Sequence, residues 1–421
     1  MGVVGSEVAR NLIHHSDHIE SQVGLPVALD GIAVQHATKP RDPNIPSSLI
    51  TTDPVSLITN PSISIIIELI GGERPAVDLL RLALSQGKHV VTANKEVMAT
   101  HGTELIQLAE ENDVNILYEA SVGAGIPIIG PLNKDFLAND ISSIYAIING
   151  TTNYILTKMA QDGTDFKTAL CLAQQLGYAE ANPAHDIEGT DAAFKLAILS
   201  SLAFHTQVAS KEIYREGISR LSEVDFQYAH ELGFAIKLLA IASREAGSLS
   251  LRVHPSLLSK DHLLAKVDGV FNAIEIEGDL IGKVVLHGQG AGPKPTASAV
   301  LGDILEVARN LAWHGKPTKK IALNQNLSLS PIDELVTQYY VRVTVVDQAG
   351  VLAKIATLLG DLNISIATAI QKAADSQSQT AELVIMTHPA KESSVQQAIR
   401  QMDQLSVVRE VSNVIRVETG V

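Results

Sequence analysis

Short β-rich runs alternate with helical patterns through the first third of this chain. Residues 75–86 and 96–112 have helical spacing, and the runs around them predict buried strands at 31–35, 63–70, 88–92 and 114–118. Alternating strands and helices favour a parallel, doubly wound sheet, because each crossover helix returns the chain for another parallel strand. The sequence therefore predicts an α/β, Rossmann-like first domain over residues 1–130.

The chain opens on glycines spaced like the second half of a G-x-G-x-x-G turn. In such a turn, glycine lets the backbone approach a pyrophosphate and lets the following helix pack on its strand. We therefore expect a dinucleotide to contact Gly2, Val3, Val4 and Gly5. The first glycine of the turn and the strand before it are absent, so the sheet is expected to lack its first strand and Met1 is open to question as the natural start. Such a sheet should be poorly stable, because its neighbours lose hydrogen-bond partners.

The second predicted strand ends without the carboxylate that usually binds the ribose hydroxyls of NAD. Gln35 and His36 close this strand, and the cations Lys39 and Arg41 follow. This pattern mildly favours a 2′-phosphate, and hence NADP at Lys39, with use of NAD left open. A solvated basic loop explains the same residues equally well.

The middle of the chain, residues 131–318, has mixed helix and strand signals and predicts an α+β catalytic and dimerisation domain. Its most informative stretch is 176–195, which carries Glu180, Asp186, Asp191 and Lys195. Asp191 and Lys195 are four apart, so a helix projects both from one face. A surface ion pair is the common explanation, but the apolar run after Lys195 favours a core helix. A buried lysine there can hold a carbonyl oxygen and pass a proton, while the acids bind an ammonium group.

The last part of the domain, 295–315, predicts a helix that returns to the first domain, with Thr296 as its N-cap. Residues 319–337 have weak periodicity and predict a linker. The segment 338–416 then follows a β-α-β-β-α-β order, with strands at 339–347, 364–373, 379–388 and 407–418. That order is the split, ferredoxin-like arrangement.

Composition excludes several classes of protein. The net charge of −14 argues against nucleic acid or an anionic membrane as a partner. One cysteine, Cys171, excludes a disulfide framework, and the fourteen histidines lack ligand-like spacing for zinc. Without a secretory signal or a span-length apolar run, we expect a soluble, cytoplasmic protein.

Several separate blocks together resemble homoserine dehydrogenase of the bacterial type that carries a C-terminal ACT domain. The blocks are VVTANKE (90–96), YEASVGAGIPII (118–129), INGTTNYIL (148–156), GYAEANPAHDIEGTDAAFK (177–195) and GQGAGPKPTASAVLGDI (288–304). Their order and spacing are highly specific, and with the C-terminal unit they cover essentially the whole chain.

The resemblance implies roles for particular residues. It implies that Lys195 is the catalytic lysine, with Asp191 as the acid beside it, and that Lys95 faces both nicotinamide and substrate. Glu180, Asp186 and Asp191 match substrate-binding acids, and Gly71, Gly290 and Gly292 match cofactor contacts. The family's monovalent cation, Na⁺ or K⁺, would be held by backbone oxygens of Glu119, Val122, Ala124 and Ile126. The ACT unit would bind an effector at Asp347, Gly350, Val351 and Asn363.

The reaction implied is L-homoserine + NAD(P)⁺ ⇌ L-aspartate 4-semialdehyde + NAD(P)H, on the route to threonine, methionine and isoleucine. The resemblance further implies feedback by threonine and a homo-oligomer, a dimer or tetramer. Another amino-acid-semialdehyde reductase is a second enzymatic possibility, which the 177–195 block argues against. A different class of protein stays open: a non-catalytic amino-acid-binding protein in which only the ACT unit functions.

Overall fold

A computed structural model describes residues 1–245, 247–313, 323, 325, 327–372 and 379–418. The helices are α1 (Val3–His14), α2 (Ser16–Val23), α3 (Pro54–Thr59), α4 (Ala76–Ser85), α5 (Lys95–Glu111), α6 (Ile129–Asn133), α7 (Gly150–Asp162), α8 (Phe166–Gln175), α9 (Ala184–Ile187), α10 (Thr190–Ala203), α11 (Glu223–Glu231), α12 (Pro293–Ala312), α13 (Val351–Asp361) and α14 (Glu392–Met402). Short 3₁₀ turns occur at Ser47–Leu49, Glu119–Ser121, Ser210–Glu212, Leu264–Lys266 and Ile332–Glu334.

The strands are β1 (Ile32–Ala33), β2 (Ile50–Thr51), β3 (Ile65–Glu68), β4 (His89–Thr92), β5 (Ile116–Leu117), β6 (Ile141–Ile147), β7 (Tyr214–Arg215), β8 (Phe234–Glu245), β9 (Ser248–Ser259), β10 (Phe271–Gly278), β11 (Gly282–Gln289), β12 (Ser328–Leu329), β13 (Val336–Val346), β14 (Ile366–Gln371), β15 (Thr380–Thr387), β16 (Ala390–Lys391) and β17 (Val408–Glu418). None of the helices in the described ranges combines the length and the apolar character needed to cross a membrane.

The chain divides into two compact units, and each is discontinuous in sequence. The first unit contains Met1–Ile141, Phe194–Glu212 and Gly278–Asn326, and the second contains Ser142–Ala193, Ile213–Glu277 and Leu327–Val421. These units differ from the continuous domains expected at 1–130, 131–318 and 338–416, so those boundaries stay a prediction. Helix α10 begins in the second unit and continues into the first.

The first unit contains the parallel strands that the sequence predicted. β3, β4 and β5 form one parallel sheet, with Ile65 opposite His89 and Val90 opposite Ile116. β1 pairs in parallel with β2, a strand that the sequence analysis missed, in a separate sheet. The parallel arrangement is therefore confirmed, while the single sheet expected is observed as two.

Helix α12 packs in the first unit against α1 and α2. Their shared core contains Val8, Leu12, Val300 and Ile304, all nearly inaccessible to solvent. The N-cap is Gly292 and not Thr296, so that prediction was wrong. The helix begins earlier because Pro293 suits the first helical position, where its fixed φ is favourable and no N–H is needed. The predicted end of this helix at residue 315 lies outside the described residues.

The second unit is built on one large sheet with the order β10-β6-β8-β9-β17-β13-β15-β14. β8 and β9 form a long antiparallel hairpin, with Phe234 opposite Ser259. The predicted β-α-β-β-α-β order is confirmed, as β13-α13-β14-β15-α14-β17, with a core between its sheet and its helices. β17 pairs in parallel with β9, with Arg416 opposite Ser256, so the sheet of this C-terminal module continues the sheet of the middle region.

Some elements of the second unit were not predicted. Helix α11 and strand β9 are absent from the sequence analysis, and the predicted linker at 319–337 overlaps β12 and the start of β13. β12 joins the sheet by pairing in parallel with β9. Much of the rest of that linker, residues 319–322, 324 and 326, lies outside the described residues.

Candidate active site

One pocket in the first unit collects residues from loops that are far apart in the sequence. It lies at the carboxyl ends of β3 and β4, where ligands bind in open parallel sheets. Its walls are Val4, Glu68, Leu69, Ile70, Gly71, Ala93, Asn94, Lys95, Ala120, Ser121, Gly123, Ala124, Lys195, Gly290, Ala291 and Thr296. Both predicted lysines, Lys95 and Lys195, are therefore brought to one cavity, together with the predicted cofactor positions Val4, Gly71 and Gly290.

The two lysines are positioned by different helices. Lys95 is the first residue of α5, whose N-cap Asn94 accepts a hydrogen bond from the backbone N–H of Val97 at 3.2 Å. Lys195 lies in α10 and is only 8% exposed. Asp191, one turn earlier on the same helix, is 4% exposed. The pair is thus buried, as the apolar run after Lys195 predicted, and a solvated surface pair is excluded.

A buried glutamate organises the pocket wall and was missed from the sequence. One carboxylate oxygen of Glu68 accepts from the backbone N–H of Ile70 at 2.7 Å, and the other accepts from the Thr92 hydroxyl at 2.6 Å. Asn94 in turn donates from its side-chain amide to the carbonyl of Gly72 at 2.7 Å. These contacts tie the loop after β3 to the loop after β4, and so fix Gly71 beside Lys95. A polar residue at the end of an apolar strand was the available signal.

The loop 119–126 turns sharply and is held from two sides. Ala124 has φ 41°, in the left-handed region that favours glycine, and Gly123 has φ 74°. The Glu119 carboxylate accepts from the backbone N–H groups of Ile129 at 2.8 Å and Gly130 at 2.6 Å. A side chain on Gly125 would place its Cβ 2.9 Å from the Gln289 carbonyl oxygen, so the close approach to the 289–295 turn requires glycine there.

The loop 119–126 is mostly buried and lies beside negatively charged side chains. Burial raises the pKa of Tyr118, and the charges of Glu119 and Asp303 raise it further. The Asp303 carboxylate accepts from the backbone N–H of Glu119 at 2.9 Å. Val122, Ala124 and Ile126, whose backbone oxygens are candidate cation ligands, are all buried. Oxygen donors in a buried, negatively biased loop suit a hard monovalent cation.

The remaining cofactor predictions lie outside the pocket wall. Gly2 is the N-cap of α1, so Val3 begins the helix as the glycine pattern predicted. A Cβ on Gly5 would lie 3.1 Å from Cγ of Met1. Lys39 is exposed in the loop after β1. Arg41 donates to the carbonyl oxygens of Ala37 and Lys39, at 2.8 and 2.7 Å, and so shapes that loop.

The second unit holds the predicted substrate acids. Asp186 is half-buried in α9, Asp191 is buried, and both accept hydrogen bonds from the side-chain amide of Asn149, at 2.7 and 2.8 Å. Glu180 lies on the turn before α9 with an exposed side chain. Its backbone oxygen accepts from the Gln174 amide at 3.0 Å. The structure therefore brings two of the three acids together, and the sequence analysis missed the amide between them.

The predicted effector residues lie at opposite ends of one helix. Gly350 is the N-cap of α13 with φ 89°, Val351 begins the helix, and Asp347 is exposed just before it. Asn363 follows the C-terminal end with φ 58°. Because α13 has 11 residues, the two ends lie roughly 16 Å apart. These four residues stay the predicted effector site, with Asn363 at the opposite end of α13 from the other three.

Comparisons with known proteins agree along the whole chain. The family model described as "Homoserine dehydrogenase, NAD binding domain" matches residues 1–119, the model described as "Homoserine dehydrogenase" matches 127–305, and the ACT domain model matches 339–407. The homoserine dehydrogenase of Synechocystis sp. is 42% identical over 400 residues, which cover 93% of this chain and 92% of that relative.

Solved structures lead to the same family. A crystal structure of a homoserine dehydrogenase from Thiobacillus denitrificans matches with a TM-score of 0.92 and 39% identity, covering 99% of this chain and 96% of that one. A hyperthermophilic archaeal homoserine dehydrogenase in complex with NADPH matches with a TM-score of 0.59 and 29% identity, over 73% of this chain and 94% of that one.

These matches cover the nucleotide-binding, catalytic and ACT regions together. They do not support the alternative of a non-catalytic amino-acid-binding protein, since the NAD-binding and catalytic models both match. The chain belongs to the homoserine dehydrogenase family of NAD(P)-dependent oxidoreductases that act on a CH–OH group, and it carries an ACT domain.

Proposed function

We propose that the two-lysine pocket interconverts L-homoserine and L-aspartate 4-semialdehyde, a step in the biosynthesis of threonine, methionine and isoleucine. The observation that carries this proposal is that Lys95 and Lys195 line one cavity at the carboxyl ends of β3 and β4. When the nicotinamide cofactor is bound, it exchanges a hydride with the substrate carbon. The chain must then hold the substrate and move one proton at its oxygen.

Lys195 carries the proton. In the reducing direction the carbonyl oxygen of the semialdehyde becomes the hydroxyl oxygen of homoserine, and negative charge develops on it as the hydride arrives at carbon. The Lys195 ammonium stabilises that charge and donates the proton, and Lys95 adds positive charge from the start of α5. Burial of Lys195, at 8% exposed, strengthens both effects because little water screens them.

Glu180, Asp186 and Asp191 are the proposed ligands of the substrate ammonium group. Asp186 and Asp191 share the Asn149 amide, which holds their carboxylates on one side of that residue. Glu180 is exposed on the preceding turn, so its carboxylate is accessible to a ligand. The family's monovalent cation fits the loop 119–126, where the backbone oxygens of Glu119, Val122, Ala124 and Ile126 would hold it and so brace the pocket wall beside Ala124.

NADP is the proposed cofactor, with NAD as the weaker substrate. The support is the exposed Lys39 in a loop shaped by Arg41, after a strand that ends without a carboxylate. The solved complex of the archaeal relative with NADPH points the same way. A phosphate on the ribose attracts a cation through a charge-assisted hydrogen bond.

The test of function and cofactor is homoserine-dependent reduction of each nucleotide, followed by absorbance. The KM of the wild-type protein for NADP is expected to be lower than its KM for NAD. Lys39→Ala should raise the KM for NADP about tenfold and leave that for NAD unchanged, since only NADP has the 2′-phosphate. Lys134→Ala, which removes an exposed lysine elsewhere in the first unit, is the control. No homoserine-dependent reduction of either nucleotide would refute the function, and equal changes for both nucleotides would refute the role of Lys39.

Threonine is the proposed effector of the ACT domain, and the active form is a homo-oligomer. Asp347 and Gly350 lie at the start of α13, where backbone N–H groups receive a carboxylate, whereas Asn363 lies beyond its other end. One site that uses both ends needs a second copy of the chain. This requirement supports pairing of ACT modules into a dimer or tetramer. We further propose that the enzyme is cytoplasmic and that its domains span 1–130, 131–318 and 338–416.

Threonine is expected to raise the melting temperature and lower the rate of homoserine oxidation. A ligand at 100 times its Kd stabilises the folded state by about 2.7 kcal/mol. Asp347→Ala should remove both effects, because it changes the loop before the α13 N-terminus. Asp361→Ala, an exposed acid in the last turn of the same helix, should keep them. Unchanged melting temperature and rate in wild-type protein with threonine would remove the sensing role.

A further inference from the structure

We propose that Asn149 is a positioning residue for the reaction: its side-chain amide holds Asp186 and Asp191 in the arrangement that binds the substrate ammonium group. Asn149 lies in the block 148–156, which the sequence analysis used only as a family signature. This inference rests on the proposed role of the two acids. It adds a residue that sets the geometry of those acids without touching the substrate.

The geometry of Asn149 leaves one orientation for its amide. Asn149 is the N-cap of α7, and its Oδ1 accepts from the backbone N–H of Thr152 at 2.9 Å and from the Thr152 hydroxyl at 3.0 Å. Nδ2 must then face the other way. It donates one hydrogen to Asp186 Oδ1 at 2.7 Å and the other to Asp191 Oδ2 at 2.8 Å. Both amide hydrogens are therefore used on carboxylates.

The Asn149 amide reduces the repulsion between Asp186 and Asp191. Two carboxylates that accept from one amide group lie close together, and like charges at such a short distance repel each other. The amide offsets part of that repulsion with two hydrogen bonds to charged acceptors, which are shorter and stronger than neutral ones. The N-terminus of α7 contributes further, because the first turn of a helix favours negative charge. The titratable side chains that Asn149 contacts are these two aspartates.

Neighbouring residues of α7 hold the same acidic segment. The Thr151 hydroxyl donates to the backbone oxygen of Tyr178 at 2.6 Å, and the rings of Tyr154 and Tyr178 pack with centroids 5.0 Å apart. The first turns of α7 thus fix the chain on both sides of Glu180. Asn149 is the one member of this group that contacts the acids themselves, and it is 5% exposed, so water cannot replace it freely.

Asn149→Ser keeps a helix N-cap but removes both donors to the acids. We expect kcat/KM for homoserine to fall about 10- to 100-fold, mainly through a higher KM, while the KM for NADP stays unchanged.

Asn153→Ser is the matched control. Asn153 is another buried asparagine of α7, and its Nδ2 also donates two hydrogen bonds, both at 3.0 Å, to the backbone oxygens of Val267 and Phe271. The loss of two buried hydrogen bonds is therefore the same, but the acids keep their amide. This variant should lower the melting temperature without raising the KM for homoserine. A KM for homoserine in the Asn149→Ser protein equal to that of Asn153→Ser would overturn the proposal.

A second variant covers the case in which Asn149→Ser fails to fold. Asn149→Asp keeps the size and the cap acceptor but places a third carboxylate beside two others. Its KM for homoserine should rise at least as much as that of Asn149→Ser, because a carboxylate donates no hydrogen bond to the two acids and repels them. A KM for homoserine equal to that of the wild type would contradict the positioning role.

The same assays separate this inference from the function on which it rests. Asp186→Asn and Asp191→Asn should each raise the KM for homoserine. If neither does, the proposed role of the acids fails and the positioning role of Asn149 fails with it. If both do while Asn149→Ser matches the Asn153→Ser control, only the positioning role is overturned.

Discussion

Lys195→Ala is expected to lower kcat for homoserine oxidation by about 10²–10⁴-fold, the usual contribution of a well-placed proton-transfer group. The variant loses both the proton carrier and the cation that faces the developing alkoxide. Lys195 lines the pocket from α10 and is buried, so solvent cannot supply an equivalent group of the same geometry. Steady-state rates with saturating NADP and homoserine measure the effect.

The control is Lys158, a lysine that forms an i,i+4 ion pair near the surface. Lys158 lies on α7 four residues before Asp162, its Nζ is 3.0 Å from Asp162 Oδ2, and both side chains are partly exposed. Lys158→Ala should leave kcat unchanged, because a solvated pair contributes little. Circular dichroism should show that both variants keep the fold. A Lys195→Ala protein with near-wild-type kcat would end the proton-transfer role.

Asp225→Ala is expected to lower the free energy of unfolding by about 3–5 kcal/mol, the cost of removing one partner of a buried ion pair. Asp225 is fully inaccessible to solvent in α11. Its carboxylate accepts from Arg342 Nε at 2.7 Å, from the Ser222 N–H at 2.9 Å and from the Asn413 amide at 2.9 Å. Removing it leaves the buried Arg342 guanidinium with the partly exposed Glu382, whose carboxylate accepts from Nη1 at 3.1 Å, as its remaining acidic partner.

The electrostatics of Arg342 support this expectation. Burial by itself lowers the pKa of Arg342, but the hydrogen bond and the charge of Asp225, together with a hydrogen bond to Glu382, outweigh it, so the pKa is raised. An arginine side chain is not deprotonated in proteins, so the positive charge remains when Asp225 is gone. Urea unfolding followed by circular dichroism measures the loss of stability.

Glu231→Ala is the matched control, because Glu231 lies in the same helix. It pairs with Lys372 at 2.6 Å, and both side chains are 47% exposed. Its removal should leave the unfolding curve nearly unchanged, since exposed pairs contribute little. The double variant Asp225→Ala, Arg342→Met should recover much of the lost stability, because the buried positive charge is removed as well and Glu382 is partly exposed to solvent. Asp225→Ala and Glu231→Ala proteins that unfold at the same urea concentration would contradict the argument.

Much of the fold could be predicted because its elements have strong local periodicity. The apolar runs at 63–70 and 88–92 contain β3 and β4, and the C-terminal module was found strand by strand. Helix α11 was missed because Val224, Phe226 and Tyr228 alternate with polar residues, a spacing that is typical of a strand and not of a helix. The start of α12 was misplaced because a threonine is the more usual N-cap than the glycine found there.

Some features of the candidate site could be predicted from local spacing in the sequence, and others could not. The i,i+4 spacing of Asp191 and Lys195 is a property of one helix, so it could be derived from the sequence alone. Asn149 contacts acids 37 and 42 residues away, and Arg342 contacts Asp225 across 117 residues. No local pattern encodes such pairs.

By itself, then, the sequence determined the alternation of strands and helices in the first part of the chain, the β-α-β-β-α-β order of the C-terminal module, the catalytic family and the face that Asp191 shares with Lys195. Only the tertiary structure decided which polar groups are buried together: Asn149 with two aspartates, and Glu68 with Thr92 in the pocket wall. The physical reason is that periodicity depends on neighbours within one or two turns, whereas a buried polar group needs a partner that the folded chain brings to it.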